Sequence, residues 1–366
     1  MAALRVLRSS PVRHHKHEER IAPRTPADIF LSVPEAVKHC CQNTLTAQWT
    51  KKLPFIQRQP PAELAADAVL SAINSLDDIE TAEWTVIDFC SGAGGPIPFI
   101  ETLVNDSRRL EGKKPIQFRL SDLHPNIDAW MKHAALSENL SFVPQRVDAS
   151  YPPFVTRIMD DLQHESFSPS QEGTRKYLRV IANVHEHGRF SVISATTTGD
   201  KAAALKAGYE SKSKVFRLFC LSFHHFDNPT ARRVLKSTLE TSDAFAIIEL
   251  QDRRIGSLFL MLLEFWLLLA ITVLWFWHDQ LHLLLTYGLP ILPFVHSFDG
   301  FVSCLRTRTF DETLRLVEDV QGVQSNMHGN DSNGDVTQRK SWQFSHVRAL
   351  HTWPLGYMEV TFGRRV

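Results

Sequence analysis

The stretch VIDFCSGAGG, residues 86–95, constrains the fold more than any other part of this 366-residue chain. A β-branched run ends in an acid, Asp88, and opens into a small-residue loop that carries three glycines. Close-spaced glycines allow a ligand to pass near the main chain where a Cβ would stand in its way. The segment that follows, SGAGGPIPFIETLV, turns into a helix. Strand, glycine loop and helix together form the unit that holds a nucleotide-like ligand at the carboxyl end of a parallel sheet. Two versions of that unit fit poorly. A dinucleotide fingerprint needs a third glycine where Ile97 stands, and no Gly-Lys-Ser/Thr follows to make a P-loop.

The rest of the chain repeats the pattern. Residues 60–80 place Leu64, Ala68, Val69, Ala72, Ile73 and Leu76 at helical spacing ahead of the first strand. A second strand ends at Asp122 in LSDLHPN, with a helix starting around Pro125 to Asn126. A third, LSFVPQRVDAS, ends in Asp148; a fourth, VFRLFCLSFHHF, precedes the helix DNPTARRVLKSTLET; a fifth is AFAIIEL, residues 244–250. Such alternation predicts an α/β fold with a Rossmann-like, largely parallel sheet covered by helices on both faces. WQFSHVRAL and GYMEVTFG are candidate terminal strands. The expected organisation is a tail and lead-in over 1–55 and a core over 56–255. A hydrophobic helical hairpin follows over 256–297, and residues 298–366 complete the core. Residues 155–214 read as a polar insertion in that core, and 321–340 as a second flexible stretch.

Composition narrows the partners. Forty basic residues balance forty acidic ones, so the chain lacks the basic field that nucleic acid requires. Cys40, Cys41, Cys90, Cys220 and Cys304 are scattered without a C-x-x-C pair, which fits a reducing compartment and suggests neither zinc nor a disulfide framework. The histidines at 14, 15 and 17 lie among charged residues and read as a solvated tail. No metal site is expected.

Taken in order, these motifs resemble those of class I S-adenosylmethionine-dependent methyltransferases. Asp88, Gly92 and Gly94 match the family's first motif, with Cys90 where its first glycine commonly stands. The set FCSGAGGP, SDLHPN, SFHHFDNPTARRVL, IIELQDRR and DGFVSCLRTRTFDE is more specifically similar to a methyltransferase group with a hydrophobic insert after the fifth strand, a similarity that names no acceptor. The resemblance implies S-adenosyl-L-methionine as cofactor, held by Asp88, Cys90, Ser91, Gly92 and Gly94, by Asp122 and Leu123 at the ribose, by Asp148 and Ala149 near the adenine, and by Ser222 at the fourth strand. A carboxylate at Asp122 suits a vicinal diol. Any general base would come from His224, His225 or Glu249, and Glu249 could instead pair with Arg253 or Arg254. Asp299 and Arg306 are candidates to line an acceptor pocket. Two rival readings remain open: a non-catalytic interaction protein on the same scaffold, and a nicotinamide oxidoreductase.

The insert is the second strong feature. LFLMLLEFWLLLAITVLWFW, residues 258–277, holds one charge, Glu264, in a length that spans about 30 Å as a helix. The next limb is broken by Gly288, Pro290 and Pro293. If the strands before and after the insert share one sheet, the chain must return to the side it left, and a re-entrant or interfacial hairpin is expected. Arg253, Arg254, Arg306 and Arg308 flank it, and Trp266, Trp275, Trp277 and Tyr287 would anchor it at a bilayer surface. This predicts membrane association through residues 256–297, with the catalytic core on the cytoplasmic side and a small or lipid-like acceptor. A buried helix pair or a homo-oligomer interface is the alternative.

Overall fold

The computed structural model describes residues 34–151, 213–321, 336–339 and 341–366. The tail and nearly all of the polar insertion lie outside the described residues. From Glu35 to Thr50 the chain forms α1, in a region read from sequence as lead-in. Its buried Cys40, Cys41, Thr44 and Ala47 recur at helical spacing, a face too short in apolar residues to stand out in the sequence. Then come α2 (Pro61–Asn74), β1 (Glu83–Phe89), α3 (Ile97–Leu110), β2 (Gln117–Ser121), α4 (Ile127–Ala134) and β3 (Leu140–Phe142). Asn126 caps α4 by accepting the Ala129 N–H, as the Pro125–Asn126 start implies.

After the insertion come β4 (Ser213–Cys220), a 3-10 turn (Phe223–His225), α5 (Asn228–Thr241) and β5 (Ala244–Glu249). The hairpin consists of α6 (Ile255–Trp275), α7 (Gln280–Leu283) with a π-helical turn (Leu284–Gly288), and α8 (Ile291–Arg306). α9 (Phe310–Gln321), β6 (Val336–Arg339), β7 (Trp342–Thr352) and β8 (Gly356–Arg365) end the chain.

The strands make one sheet in the order β3-β2-β1-β4-β5-β8-β7-β6. The first five are parallel, and β8, β7 and β6 continue it antiparallel. This is the Rossmann-like α/β sheet that the sequence predicts. Two apolar layers follow from strand alternation. Val86, Phe118, Phe216, Ala246 and Val360 face α2 and α3, while Ile87, Phe219, Phe245, Ile247 and Phe344 face α5 and α9.

The second hairpin limb runs to Arg306, beyond the residue 297 expected, because Pro293 falls in the first turn of α8, where its missing N–H costs nothing. The break at Gly288–Pro290 bends α7 and α8 apart by 74°. α6 is the one described helix long and apolar enough to cross a membrane, and little of it is fully buried. Phe259, Leu262, Leu263, Trp266, Val273 and Leu274 form an exposed stripe on it, with Trp277 exposed just beyond its end, and Ile291, Phe294, Phe298 and Leu305 form another on α8. The opposite side of the hairpin meets α1, where Gln48 Nε2 donates to Glu264 Oε1 at 2.6 Å.

At the junction of parallel and antiparallel strands, Gly363 opposes Phe245, and a Cβ at Gly363 would run into the Phe245 ring. Gly363→Ala should therefore destabilise the fold by about 1–3 kcal/mol through overpacking. Urea unfolding measures it, and an unchanged midpoint would contradict the packing described.

Candidate functional site

β1 lies between β2 and β4, and the chain progresses outward from it in both directions. The carboxyl ends of β1 and β4 therefore flank the crevice where strand order reverses, the place at which open parallel sheets bind ligands. The glycine loop leaves β1 here. Cys90 has φ +63°, and Gly92, Gly94 and Gly95 follow at +52°, +108° and +49°. The Gly94 value lies outside what residues with a Cβ adopt without strain. The Gly94 N–H donates to the Ser91 carbonyl at 2.7 Å and the Ile97 N–H to the Gly94 carbonyl at 3.1 Å, which delivers the chain into α3. A Cβ on Gly94 would also stand 3.0 Å from the His133 ring, whereas nothing lies within 4 Å of that position on Gly92. Gly92 thus borders open space.

Hydrogen bonds tie this loop to the end of β2. Ser91 Oγ lies 2.5 Å from Asp88 Oδ2 and donates to it, and it accepts the Ser121 N–H at 3.1 Å. Ser121 Oγ donates to the Asp88 carbonyl at 2.7 Å. Asp122 accepts the Gly92 N–H on Oδ2 at 2.8 Å and the His124 N–H on Oδ1 at 2.7 Å. The Trp130 indole N–H donates to the Gly92 carbonyl at 2.9 Å. Asp88 is 2 % exposed and its Oδ1 has no hydrogen-bond partner. Burial pushes its carboxyl well above the usual range, with Asp122 adding to the rise and the Ser91 hydrogen bond opposing it.

The Val147 N–H donates to the Asp122 carbonyl at 2.9 Å, which brings Asp148 alongside the ends of β1 and β2 next to Cys90. The Cys90 thiol is pushed up by burial first, then by the carboxylates of Asp122, Asp88 and Asp148. Asp148 is exposed, with Oδ1 accepting from Ser150 N–H at 2.8 Å and Ser150 Oγ at 2.6 Å; Ala149 beside it is buried. Leu123 is exposed at the rim. Ser222 is buried and its Oγ donates to the Phe89 carbonyl at 3.3 Å, joining the ends of β4 and β1.

The 3-10 turn after β4 brings His224 against Glu249, the last residue of β5. His224 Nδ1 lies 2.7 Å from Glu249 Oε2, and the His224 backbone N–H donates to Oε1 at 3.1 Å. Both side chains are buried. Glu249 therefore does not pair with the neighbouring arginines: Arg253 donates to Glu312 at 2.7 Å, and Arg254 lies 3.6 Å from Asp252. His225 is exposed, its ring 4.2 Å from that of His224.

Arg306 and Arg308, read from sequence as flanking charge for the hairpin, instead grip this turn. Arg306 donates to the His224 carbonyl at 3.0 Å and the His225 carbonyl at 2.6 Å, and Arg308 to the Phe226 carbonyl at 2.7 Å. Asp299 lies close enough that His224 and Arg306 oppose the upward push of burial on its carboxyl. A neighbouring polar cluster had no signal in the sequence. Glu359, opposite Glu249 in the sheet, takes His346 Nε2 at 2.5 Å and Arg348 Nε at 2.9 Å. A surface depression of about 670 Å³ lined by Lys52, Phe55 and Arg58 involves none of these groups.

No family model and no curated protein matches the chain. Among solved structures it is similar to the plantazolicin methyltransferase BpumL bound to a pentazolic desmethyl analogue and SAH. The identity is 11 %, over 91 % of this chain and 100 % of that one, with a TM-score of 0.40. It is also similar to human N-acetylserotonin methyltransferase with SAM, at 12 % identity over 82 % and 52 % of the chains and a TM-score of 0.36. A third is the magnesium protoporphyrin IX methyltransferase of Synechocystis PCC 6803 with bound SAH, at 9 % identity over 83 % of each chain and a TM-score of 0.35. Likeness at this level carries nothing about what this chain binds.

The buried Asp88 generates a pH dependence. Above its ordinary value of 3.8 it is ionised in the unfolded chain while the fold still favours the protonated form. The native state consequently loses stability relative to Asp88→Asn as pH rises through that window. Urea unfolding of both proteins between about pH 4 and 8 should show the variant gaining on the wild type; a pH-independent difference would contradict the burial of an ionisable Asp88.

Proposed function

We propose that this chain is a class I S-adenosylmethionine-dependent methyltransferase that works at a bilayer surface, core on the cytoplasmic side, on a small or amphiphilic acceptor. The observation that carries the reading is the convergence of Asp88, Asp122, Asp148 and the glycine loop at the switch point between β1 and β4. The residues fit the cofactor. Asp88 keeps a buried oxygen without a partner, suited to an ammonium group, and Asp122 retains lone pairs for a diol beyond the two N–H groups it accepts. The open side of Gly92 leaves room for an aliphatic chain. When bound, the cofactor supplies an electrophilic methyl group on sulfur.

The chain's own task is then to orient the acceptor and, for hydroxyl or amine acceptors, to remove a proton. His224 and Glu249 suit this. With Nδ1–H donated to the Glu249 carboxylate, Nε2 carries the lone pair that takes the acceptor proton, and Glu249 then stabilises the imidazolium. Arg306 and Arg308 act as positioning residues by holding the backbone of the turn.

Calorimetry with S-adenosylhomocysteine and with NAD tests the cofactor: only the first should bind. Binding of NAD alone favours an oxidoreductase, and binding of neither a non-catalytic scaffold. Asp122→Ala should weaken S-adenosylhomocysteine about ten- to a hundredfold, the loss of a hydrogen bond to a charged group; unchanged affinity would remove the ribose role. A labelled-methyl screen of lipid and small-metabolite extracts identifies the acceptor. On that acceptor His224→Ala should lower kcat by about 10²–10⁴ without weakening the cofactor.

Membrane contact draws support from the paired apolar stripes, in which Trp266 is 66 % exposed, Leu274 73 % and Phe294 62 %. The hairpin's other side is covered by α1, whose Asn43 and Thr46 are exposed, so a one-sided interfacial seat suits it better than full immersion. The protein should float with vesicles. A Trp266→Ser/Phe294→Ser variant should stay in solution while still binding S-adenosylhomocysteine. Recovery of the wild type entirely as a soluble monomer would defeat the bilayer reading.

A further inference from the structure

The turn of the hairpin holds a cluster that the proposed methyl transfer does not use. Cys40 on α1 meets Asp279 and His282, which open and line α7, and their Sγ, carboxylate oxygen and ring nitrogen all lie within 4.8 Å of one another. No spacing in the sequence signals this, because topology alone brings residue 40 to residues 279 and 282.

The hydrogen bonds around His282 decide which of its nitrogens is available. Thr44 Oγ1 donates to the Cys40 carbonyl at 3.0 Å and lies 2.9 Å from His282 Nε2. With its own proton committed, Thr44 accepts the Nε2–H, and Nδ1 is left with an unshared lone pair. That Nδ1 belongs to a fully buried side chain and has no hydrogen-bond partner, since Asp279 Oδ2 stands 3.9 Å away. A buried acceptor left in this state is unfavourable unless something fills its lone pair. Asp279 is oriented as well, through Oδ1 accepting the His282 N–H at 3.0 Å. The Phe276 ring stacks on His282 at 3.8 Å, and Leu285 and Leu292 close the surroundings.

We propose that Cys40, Asp279 and His282 bind a zinc ion that pins α1 to the tip of the hairpin, with water in the fourth position. Sulfur, imidazole and carboxylate donors form a set that suits zinc, and bonds of about 2.0–2.3 Å require only a small inward rotation of side chains already this close. Binding replaces the thiol proton, which passes to solvent, and leaves Cys40 as thiolate. The Thr44 contact is the outer partner that fixes the tautomer of a metal-binding histidine. Zinc would make the seat of the hairpin depend on α1.

The test uses the full chain, purified without chelator and dialysed, with zinc measured by elemental analysis and the apo protein titrated with cobalt(II). One zinc per chain is expected, together with a thiolate-to-cobalt charge-transfer band. Cys40→Ser and His282→Ala should each lose the band; Cys41→Ala and a His14→Ala/His15→Ala/His17→Ala variant should keep it. Absence of both zinc and a cobalt band in the wild type would overturn the proposal. So would a band that survives Cys40→Ser or disappears with the three tail histidines. The wild-type stoichiometry decides the matter even where a variant fails to fold.

Discussion

Everything at the carboxyl edge of the sheet depends on how the chain leaves β1. Asp88 is carried into the interior by a strand whose neighbours on both sides are parallel, and its carboxyl must be accommodated without water. Ser91 reaches back to it across the left-handed step at Cys90, and the glycines beyond continue in positive φ. The same serine takes the Ser121 N–H, and Asp122 takes the Gly92 N–H, so the loop and the end of β2 are one hydrogen-bonded unit. A rim built this way is preorganised. Its donors and acceptors are fixed by one another, and one buried carboxyl oxygen lacks a partner.

The fold was largely legible because strands buried on both faces read as short apolar runs, and each parallel strand needs a crossover helix. Asp88 and Asp122 were legible too, since a charged residue closing a buried run is conspicuous, whereas the third strand stops at Phe142 and leaves Asp148 in the loop beyond it, not at the strand end expected. What escaped was everything that depends on distant pairing. Glu249 has two arginines next in sequence, yet its partner is His224, because adjacent parallel strands put the two residues side by side. Arg306 and Arg308 resemble charges flanking an apolar segment, but five donors on a planar guanidinium make them good clamps for exposed carbonyls of a tight turn. α1 was hidden by its composition: cysteines, threonine and alanine bury well without looking hydrophobic in a pattern.

The hairpin joins these levels. It leaves the sheet after β5, directly beyond Glu249, and returns through Arg306 to the turn that carries His224. Motion of α8 therefore bears on the histidine turn through the arginine contacts, and α1 bears on the hairpin through Gln48 and Thr44. The hairpin thus carries an exposed apolar surface on one side and contacts the turn of His224 at its other end.

In the proposed function the adenosyl group is held by the rim formed by residues 88–95, 121–124 and 147–149. Hydrogen–deuterium exchange with and without S-adenosylhomocysteine tests it most directly, since the Gly92 and His124 amides report on Asp122. Protection concentrated in those three segments is the predicted result. Protection confined to the depression around residues 52–58, or no change at the rim, would contradict it.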